Sequence, residues 1–276
     1  MIEITTLIDN YDHPSDNSLV SEHGLSFWIA FNGTHILCDM GASGTFWENA
    51  SRLNIDLRST DWAFLSHGHN DHTGGLRTFL EQNDQTPVYL SPHVFRQHYF
   101  SARRVTKRDI STELVLHDFF LGRFHFIAES TWITPEIALV KNDTFDHPTP
   151  FGNRFLTVLE DGQEQSDDFK HELSLAMLTE QGWVVLSSCS HNGALNILDS
   201  CKRFTGATSI HAFIGGLHFV DSPKVETEAR TFLHDKNLFY PETDFYIGHC
   251  TGPQSRVFLQ EDPKISFFYT GKKICF

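Results

Sequence analysis

At 276 residues, 40% of them hydrophobic and 25 of them Phe, the chain can bury a sizeable core as one large domain or two small ones. A formal charge of -14 argues against sequence-independent nucleic-acid binding, which depends on cationic contacts to phosphates, and no apolar run approaches the roughly 18–20 residues of a membrane span. Five Cys (Cys38, Cys189, Cys201, Cys250, Cys275), odd in number and without a C-x-x-C, speak against a disulfide framework. Together with a start that lacks a basic n-region and a long apolar stretch, they point to a reducing, cytoplasmic setting.

Residues 2–8 alternate loosely and predict an edge strand, followed by a polar loop over 9–18. Asn32-Gly33 between the apolar runs 27–31 and 35–38 is a strong hairpin signal. Asp39-Met40-Gly41 closes the second strand. A helix is expected over 45–57, a strand over 62–65, a helix over 73–82 and a short strand over 88–90. From about 93 to 165 the pattern loosens, with a strand near Arg123–Phe126. Residues 141–165, with two Pro and two Gly, read as an extended lid or binding loop. Arg103, Arg104, Lys107 and Arg108 form a basic cluster, read first as a solvated helix face and second as a phosphate contact.

The densest chemistry lies in Ser66-His67-Gly68-His69-Asn70-Asp71-His72, at the end of the 62–65 strand. His67 and His69, two apart, can face one point, and Asp71 and His72 a second. Imidazole nitrogens and carboxylate oxygens are the usual ligands of zinc and similar ions. The second half repeats the arrangement. Apolar runs end at His191 (after 182–186), at His218 (after 212–214) and at His249 (after 245–247), each beside small residues. One such histidine would be an ordinary core residue. Four strands that each release a histidine at the carboxyl end, where ligand sites of α/β sheets lie, make a metal site the better reading.

The H-x-H-x-D-H loop resembles the signature of the metallo-β-lactamase superfamily. With Glu22-His23-Gly24-Leu25-Ser26, Cys189-Ser190-His191, Gly215-Gly216-Leu217-His218 and His249-Cys250-Thr251-Gly252 in that order, the chain is similar to the branch named after an archaeal dihydropterin (ribofuranosyl)aminobenzene-phosphate synthase. The resemblance implies an α/β fold, a four-layer αβ/βα sandwich of two mixed sheets with outer helices. It would make 1–276 a single domain with a substrate-shaping insertion around 93–165. It implies two divalent ions, zinc before manganese or iron. His67, His69 and His191 would hold one, and Asp71, His72 and His249 the other, with Asp39 supporting the loop rather than ligating. His171 is the alternative third ligand of the first ion. The superfamily's usual bridging Asp has no obvious counterpart in this chain.

His218 is the candidate general acid or oxyanion contact, and His23 remains open between ligand, proton donor and structural histidine. The expected activity is binuclear hydrolysis of a small cytoplasmic ester or phosphoester through a metal-bound hydroxide. The alternatives are the branch's pterin–ribosylaminobenzene-phosphate synthase chemistry and a di-iron redox or sensing module. Expected partners are a small molecule, phosphorylated or not, and neither nucleic acid nor membrane; homo-oligomerisation stays open.

Overall fold

Asn32 and Gly33 sit at φ 49° and 83°, the positive pair that a two-residue type I′ turn needs. They join the antiparallel strands Ser26–Phe31 and Thr34–Cys38. A computed structural model describes residues 1–95, 98–103 and 105–276. The chain divides into two compact units, one of residues 1–128, 155–171 and 269–276 and the other of 129–154 and 172–268.

The first unit carries a seven-stranded sheet in the order Lys273–Cys275, Ile2–Ile8, Ser26–Phe31, Thr34–Cys38, Trp62–Phe64, Val88–Leu90 and Phe124–Phe126. The first four strands are antiparallel and the later pairs parallel. Parallel neighbours need crossovers. Helices Thr45–Arg52 and Leu76–Gln82 supply two of them, burying Phe46, Leu76, Phe79 and Leu80 with Leu37, Ala63 and Val88 of the sheet. The second unit has its own mixed sheet, in the order Ile265–Phe267, Asp244–Ile247, Ile210–Gly215, Gly182–Ser187, Leu173–Thr179, Ile137–Lys141 and Thr131–Thr134. There the first three pairs are parallel, connected through helices Ala194–Thr205, Val225–Phe239 and Pro253–Leu259. In both sheets the motif histidines leave the carboxyl ends of parallel strands.

Three sequence expectations change. The helix expected over 45–57 ends at Arg52, because Asn54 turns left-handed at φ 59° and Asp56 caps a 3-10 turn at Leu57–Ser59. The helix expected over 73–82 is two pieces, Asn70–Thr73 and Leu76–Gln82, separated by Gly74-Gly75. The expected loop over 141–165 contains the 3-10 turn Phe151–Phe155 and a hairpin of strands Leu156–Glu160 and Gln163–Ser166. Asp161-Gly162, at φ 51° and 75°, is the same turn chemistry as Asn32-Gly33 and was the overlooked signal. This hairpin pairs with His98–Ser101 and through it with Arg108–Asp109, a small antiparallel sheet of the first unit.

The basic cluster is therefore no helix face where it is described; Arg104 lies outside the described residues. Lys107 is paired with Glu164 and sits 3.9 Å over the Phe100 ring. Among the described residues no helix is long and apolar enough to cross a membrane. All five cysteines are free thiols.

Candidate metal centre

In the first unit the loop after Trp62–Phe64 packs His67, His69 and His72 together. Ring centroids lie 4.6 Å apart for His67 and His69 and 4.2 Å apart for His67 and His72. Asp39, fully buried at the end of Thr34–Cys38, decides the proton positions. Its Oδ1 accepts the Ser66 N–H at 2.8 Å, and its Oδ2 accepts the Ser66 hydroxyl at 2.7 Å and His72 Nδ1 at 2.8 Å. A carboxylate only accepts, so Ser66 Oγ spends its proton on Asp39. It must then accept from His67 Nδ1, 2.8 Å away. Both imidazoles are thereby held as Nδ1–H tautomers with the lone pair on Nε2, the form that binds a metal. Burial, then the neighbouring His72, His69 and His171, pushes the pKa of His67 well below the ordinary histidine value, so this ring stays neutral.

Asp71 Oδ2 lies 3.8 Å from His72 Nε2 and 3.4 Å from His23 Nε2. The Asn10 amide donates to His23 Nδ1 at 3.1 Å, which leaves Nε2–H of that exposed ring to hold Asp71. The rest of the 22–26 motif fastens the loop. Glu22 accepts from the Ala42 and Ser43 amides and the Ser43 hydroxyl. Gly24 passes so close to Asp71 that a Cβ would meet its carbonyl at 2.7 Å.

Sequence reasoning missed Asp167. Its Oδ2 lies 3.1 Å from His171 Nε2 and 3.7 Å from His69 Nε2. Burial alone would raise this carboxyl, but His171 and His69 hold it well below the usual carboxylate range. His171 Nδ1 accepts the Gly68 N–H at 2.9 Å, so the Nε2 proton goes to Asp167 and both ring nitrogens are committed. The Tyr99 ring packs against His171, tilted by 33° with centroids 4.2 Å apart. A Cβ at Gly68 would meet the Tyr99 ring at 2.9 Å, so only glycine lets the loop pass. The Asp167-x-x-x-His171 spacing was the only sequence trace of this support.

In the second unit His191, His218 and His249 are buried at the ends of Gly182–Ser187, Ile210–Gly215 and Asp244–Ile247. The His191 and His218 rings are 4.3 Å apart, and Asn153, also missed, orients both. Asn153 Nδ2 donates to the His191 carbonyl at 2.7 Å, which fixes the amide orientation. Its Oδ1 then accepts from His191 Nδ1 at 3.2 Å and His218 Nδ1 at 3.0 Å. These two rings are therefore also held as Nδ1–H tautomers, with the lone pair on Nε2. Glu172 anchors the turn, accepting the His191 N–H at 2.8 Å and the Asn192 N–H at 2.9 Å. Cys250 Sγ accepts the His218 N–H at 3.2 Å and donates to the Cys189 carbonyl at 3.7 Å, a structural use of the thiol.

Asp39, Ser190, His218 and His249 all adopt positive φ, between 48° and 58°. Non-glycine residues in this region concentrate where surrounding contacts impose them, often at functional sites.

Glu228, on the helix Val225–Phe239, has an environment of its own. Oε1 accepts the Phe151 N–H at 2.6 Å, while buried Oε2 has no hydrogen-bond partner among the described residues. Burial raises the carboxyl to about 7, against the opposing pull of the Phe151 amide. Below about pH 4.5 it is protonated in both folded and unfolded chains. Between about 4.5 and 7 only the unfolded chain ionises, so stability falls as pH rises and the loss levels off above 7. Glu228→Gln avoids this loss. Its stability advantage over the native chain is expected to grow across that window to about 1–2 kcal/mol after allowance for partial exposure. Paired thermal melts from pH 4 to 8 check this, and a pH-independent difference would contradict it.

The profile of the Metallo-beta-lactamase superfamily matches residues 21–167. A 7,8-dihydropterin-6-methyl-4-(β-D-ribofuranosyl)-aminobenzene-5′-phosphate synthase of Methanocaldococcus jannaschii is 29% identical, over 100% of this chain and 97% of that protein. The crystal structure of Tm1679, described as a metal-dependent hydrolase of the β-lactamase superfamily, superposes with a TM-score of 0.78 at 25% identity, over 100% of this chain and 99% of that one. A diphosphatase of the PhnP family shares the fold at 14% identity and a TM-score of 0.56, over 99% and 96% of the two chains. The α/β fold class expected from the sequence is the one observed.

Proposed function

The chain belongs to the metallo-β-lactamase superfamily, and from that premise we propose that it is a metal-dependent hydrolase of a small ester or phosphoester. The observation that carries the reading is the Asp39–Ser66–His67/His72 relay, which directs two buried Nε2 lone pairs from one short loop. Neutral imidazoles beside a carboxylate suit divalent ions of the zinc type. We assign His67, His69 and His191 to one ion and Asp71, His72 and His249 to the other, the second-unit members on the order of the sequence motifs. Such ions, when bound, supply Lewis acidity and lower the pKa of water.

The protein's own groups supply the rest. Asp39 and Asn153 hold tautomers, His23 steadies Asp71, and His218 keeps a lone pair on Nε2. With both nitrogens committed to Gly68 and Asp167, His171 acts as a positioning residue, and this favours His191 as the third nitrogen ligand.

Elemental analysis of untagged protein is expected to find about two equivalents of zinc, manganese or iron per chain, falling toward one in His191→Ala but not in His171→Ala. The reverse pattern would exchange the two assignments. One equivalent or none in the native chain, with no turnover of phosphodiester or lactone panels, would remove the hydrolase reading.

The synthase reading has one specific support, the 29% identical relative matched over nearly its whole length. Product analysis with a dihydropterin and a phosphorylated ribosylaminobenzene separates the two: a condensation product favours the synthase, and hydrolysis alone favours the hydrolase.

A further inference from the structure

The turn after the strand Gly182–Ser187 is held at both its carbonyls and its amides by groups of the second unit. The Gly216 N–H donates to the Ser188 carbonyl at 2.8 Å. The Cys250 thiol donates to the Cys189 carbonyl at 3.7 Å, and Glu172 and Asn153 fix His191 through its N–H and its carbonyl. Ser190 takes a left-handed φ of 58° within this frame. The frame places a sulfur as well as an imidazole. Cys189 is 3% exposed, and its Sγ lies within 4.8 Å of a ring nitrogen of His191 and also within 4.8 Å of a ring nitrogen of His249. Two donors on one tetrahedral ion, each about 2.0–2.3 Å from it, stand roughly 3.5 Å apart, so either pair closes on an ion with a small adjustment. The two cysteines of the region therefore differ. Cys250 Sγ is used by the His218 N–H and the Cys189 carbonyl, whereas Cys189 Sγ lies among ring nitrogens.

We propose that the Cys189 thiolate is a ligand shared by the two metal ions. The inference deepens the metal assignment above and rests on it, because His191 and His249 belong to different ions there and Cys189 is near both. Charge argues the same way. The assigned ligands are five neutral imidazoles and one carboxylate, which leave two divalent ions with most of their charge beside buried histidines, and uncompensated buried charge is costly. A thiolate cancels one further charge, its proton leaving to solvent as the ions bind. A soft sulfur donor also favours zinc or iron over manganese.

Cobalt(II) is titrated into the metal-free full chain, and sulfur-to-cobalt charge transfer in the near ultraviolet is read beside the visible d–d bands. The charge-transfer band is expected to grow through both equivalents, and growth that stops at the first would overturn the sharing. Cys189→Ala is expected to lose the band and to weaken zinc in chelator competition at least about tenfold, since removing a ligand costs no less than removing a group that orients one. Cys250→Ser, which keeps a donor and an acceptor in place, is expected to retain the band. Cys189→Asp exchanges one anionic donor for another and is expected to bind two ions without the band, with selectivity shifted toward manganese. Thermal melts of the metal-free variants read the fold, and the native spectrum needs no variant to fold. Two cobalt ions bound without the band, or a band that survives Cys189→Ala, would remove this inference alone and leave the hydrolase reading standing. Fewer than two ions bound by the native chain would remove the metal assignment and this inference with it. Two ions and the band without ester turnover would remove the hydrolase reading alone.

Discussion

An Asp39→Asn chain is expected to bind zinc roughly 10–100-fold more weakly than the native chain, the usual cost of removing a carboxylate that orients metal-binding histidines. The amide is nearly the same size, so the core around it is preserved and the effect is chemical. Asp39 accepts from the Ser66 N–H, the Ser66 hydroxyl and His72 Nδ1. An Asn side chain has one accepting oxygen and one donating nitrogen, so at least one of these donors meets another donor. If His72 Nδ1 loses its acceptor, its tautomer is no longer fixed. If the Ser66 hydroxyl loses its acceptor, it turns and stops accepting from His67. With the amide nitrogen in the Oδ2 place both histidines are disturbed by the one substitution, and with the oxygen there the Ser66 N–H at the start of the loop meets a donor instead. Chelator-competition titration reads the affinity, and a thermal melt of the metal-free proteins reads the fold. Unchanged affinity would show that the relay does not set the ligand form.

Gly75→Ala is expected to cost at least about 3 kcal/mol, beyond ordinary overpacking, because the clash is with backbone. A Cβ at Gly75 would lie 2.2 Å from the Met40 carbonyl and 2.5 Å from the Ser43 carbonyl, and at Gly74 it would lie 2.1 Å from the Ala42 carbonyl. The φ values of Gly74 and Gly75, -63° and -81°, are ordinary for any residue, so the cost is steric alone. Gly33→Ala provides the contrast. Nothing lies within 4 Å of its Cβ position, but φ is +83°, so the expected cost is conformational and about 1 kcal/mol. Urea denaturation of the two variants separates the mechanisms. Equal midpoints would contradict the close packing of the Gly74-Gly75 stretch on the 40–43 loop. This stretch holds the end of the histidine loop against the turn that carries Asp39, so Gly75→Ala should also lower metal content.

The sequence by itself determined the features that depend on neighbours along the chain. The alternating runs became strands, Asn32-Gly33 became the tight hairpin, and His67 and His69 lie on the loop after Trp62–Phe64, with Asp71 and His72 on the one-turn helix Asn70–Thr73 that follows it. The histidines at 191, 218 and 249 were legible for the same reason, as polar residues ending buried strands. The Asp161-Gly162 hairpin was equally local and was obscured only by the Pro and Gly residues around it.

Only the tertiary structure decided which nitrogen of each ring carries the proton, because that depends on partners far away in sequence. Ser66 and His72 meet Asp39 across 27 and 33 positions, Gly68 meets His171 across 103, and Asn153 reaches His191 across 38 and His218 across 65. A hydrogen bond needs a donor and an acceptor about 3 Å apart, and no periodicity along the chain encodes such a pair. For the same reason Asp167 and Asn153 looked like ordinary loop residues, and Glu228 like one charge among several on a half-exposed helix, until folding set their surroundings.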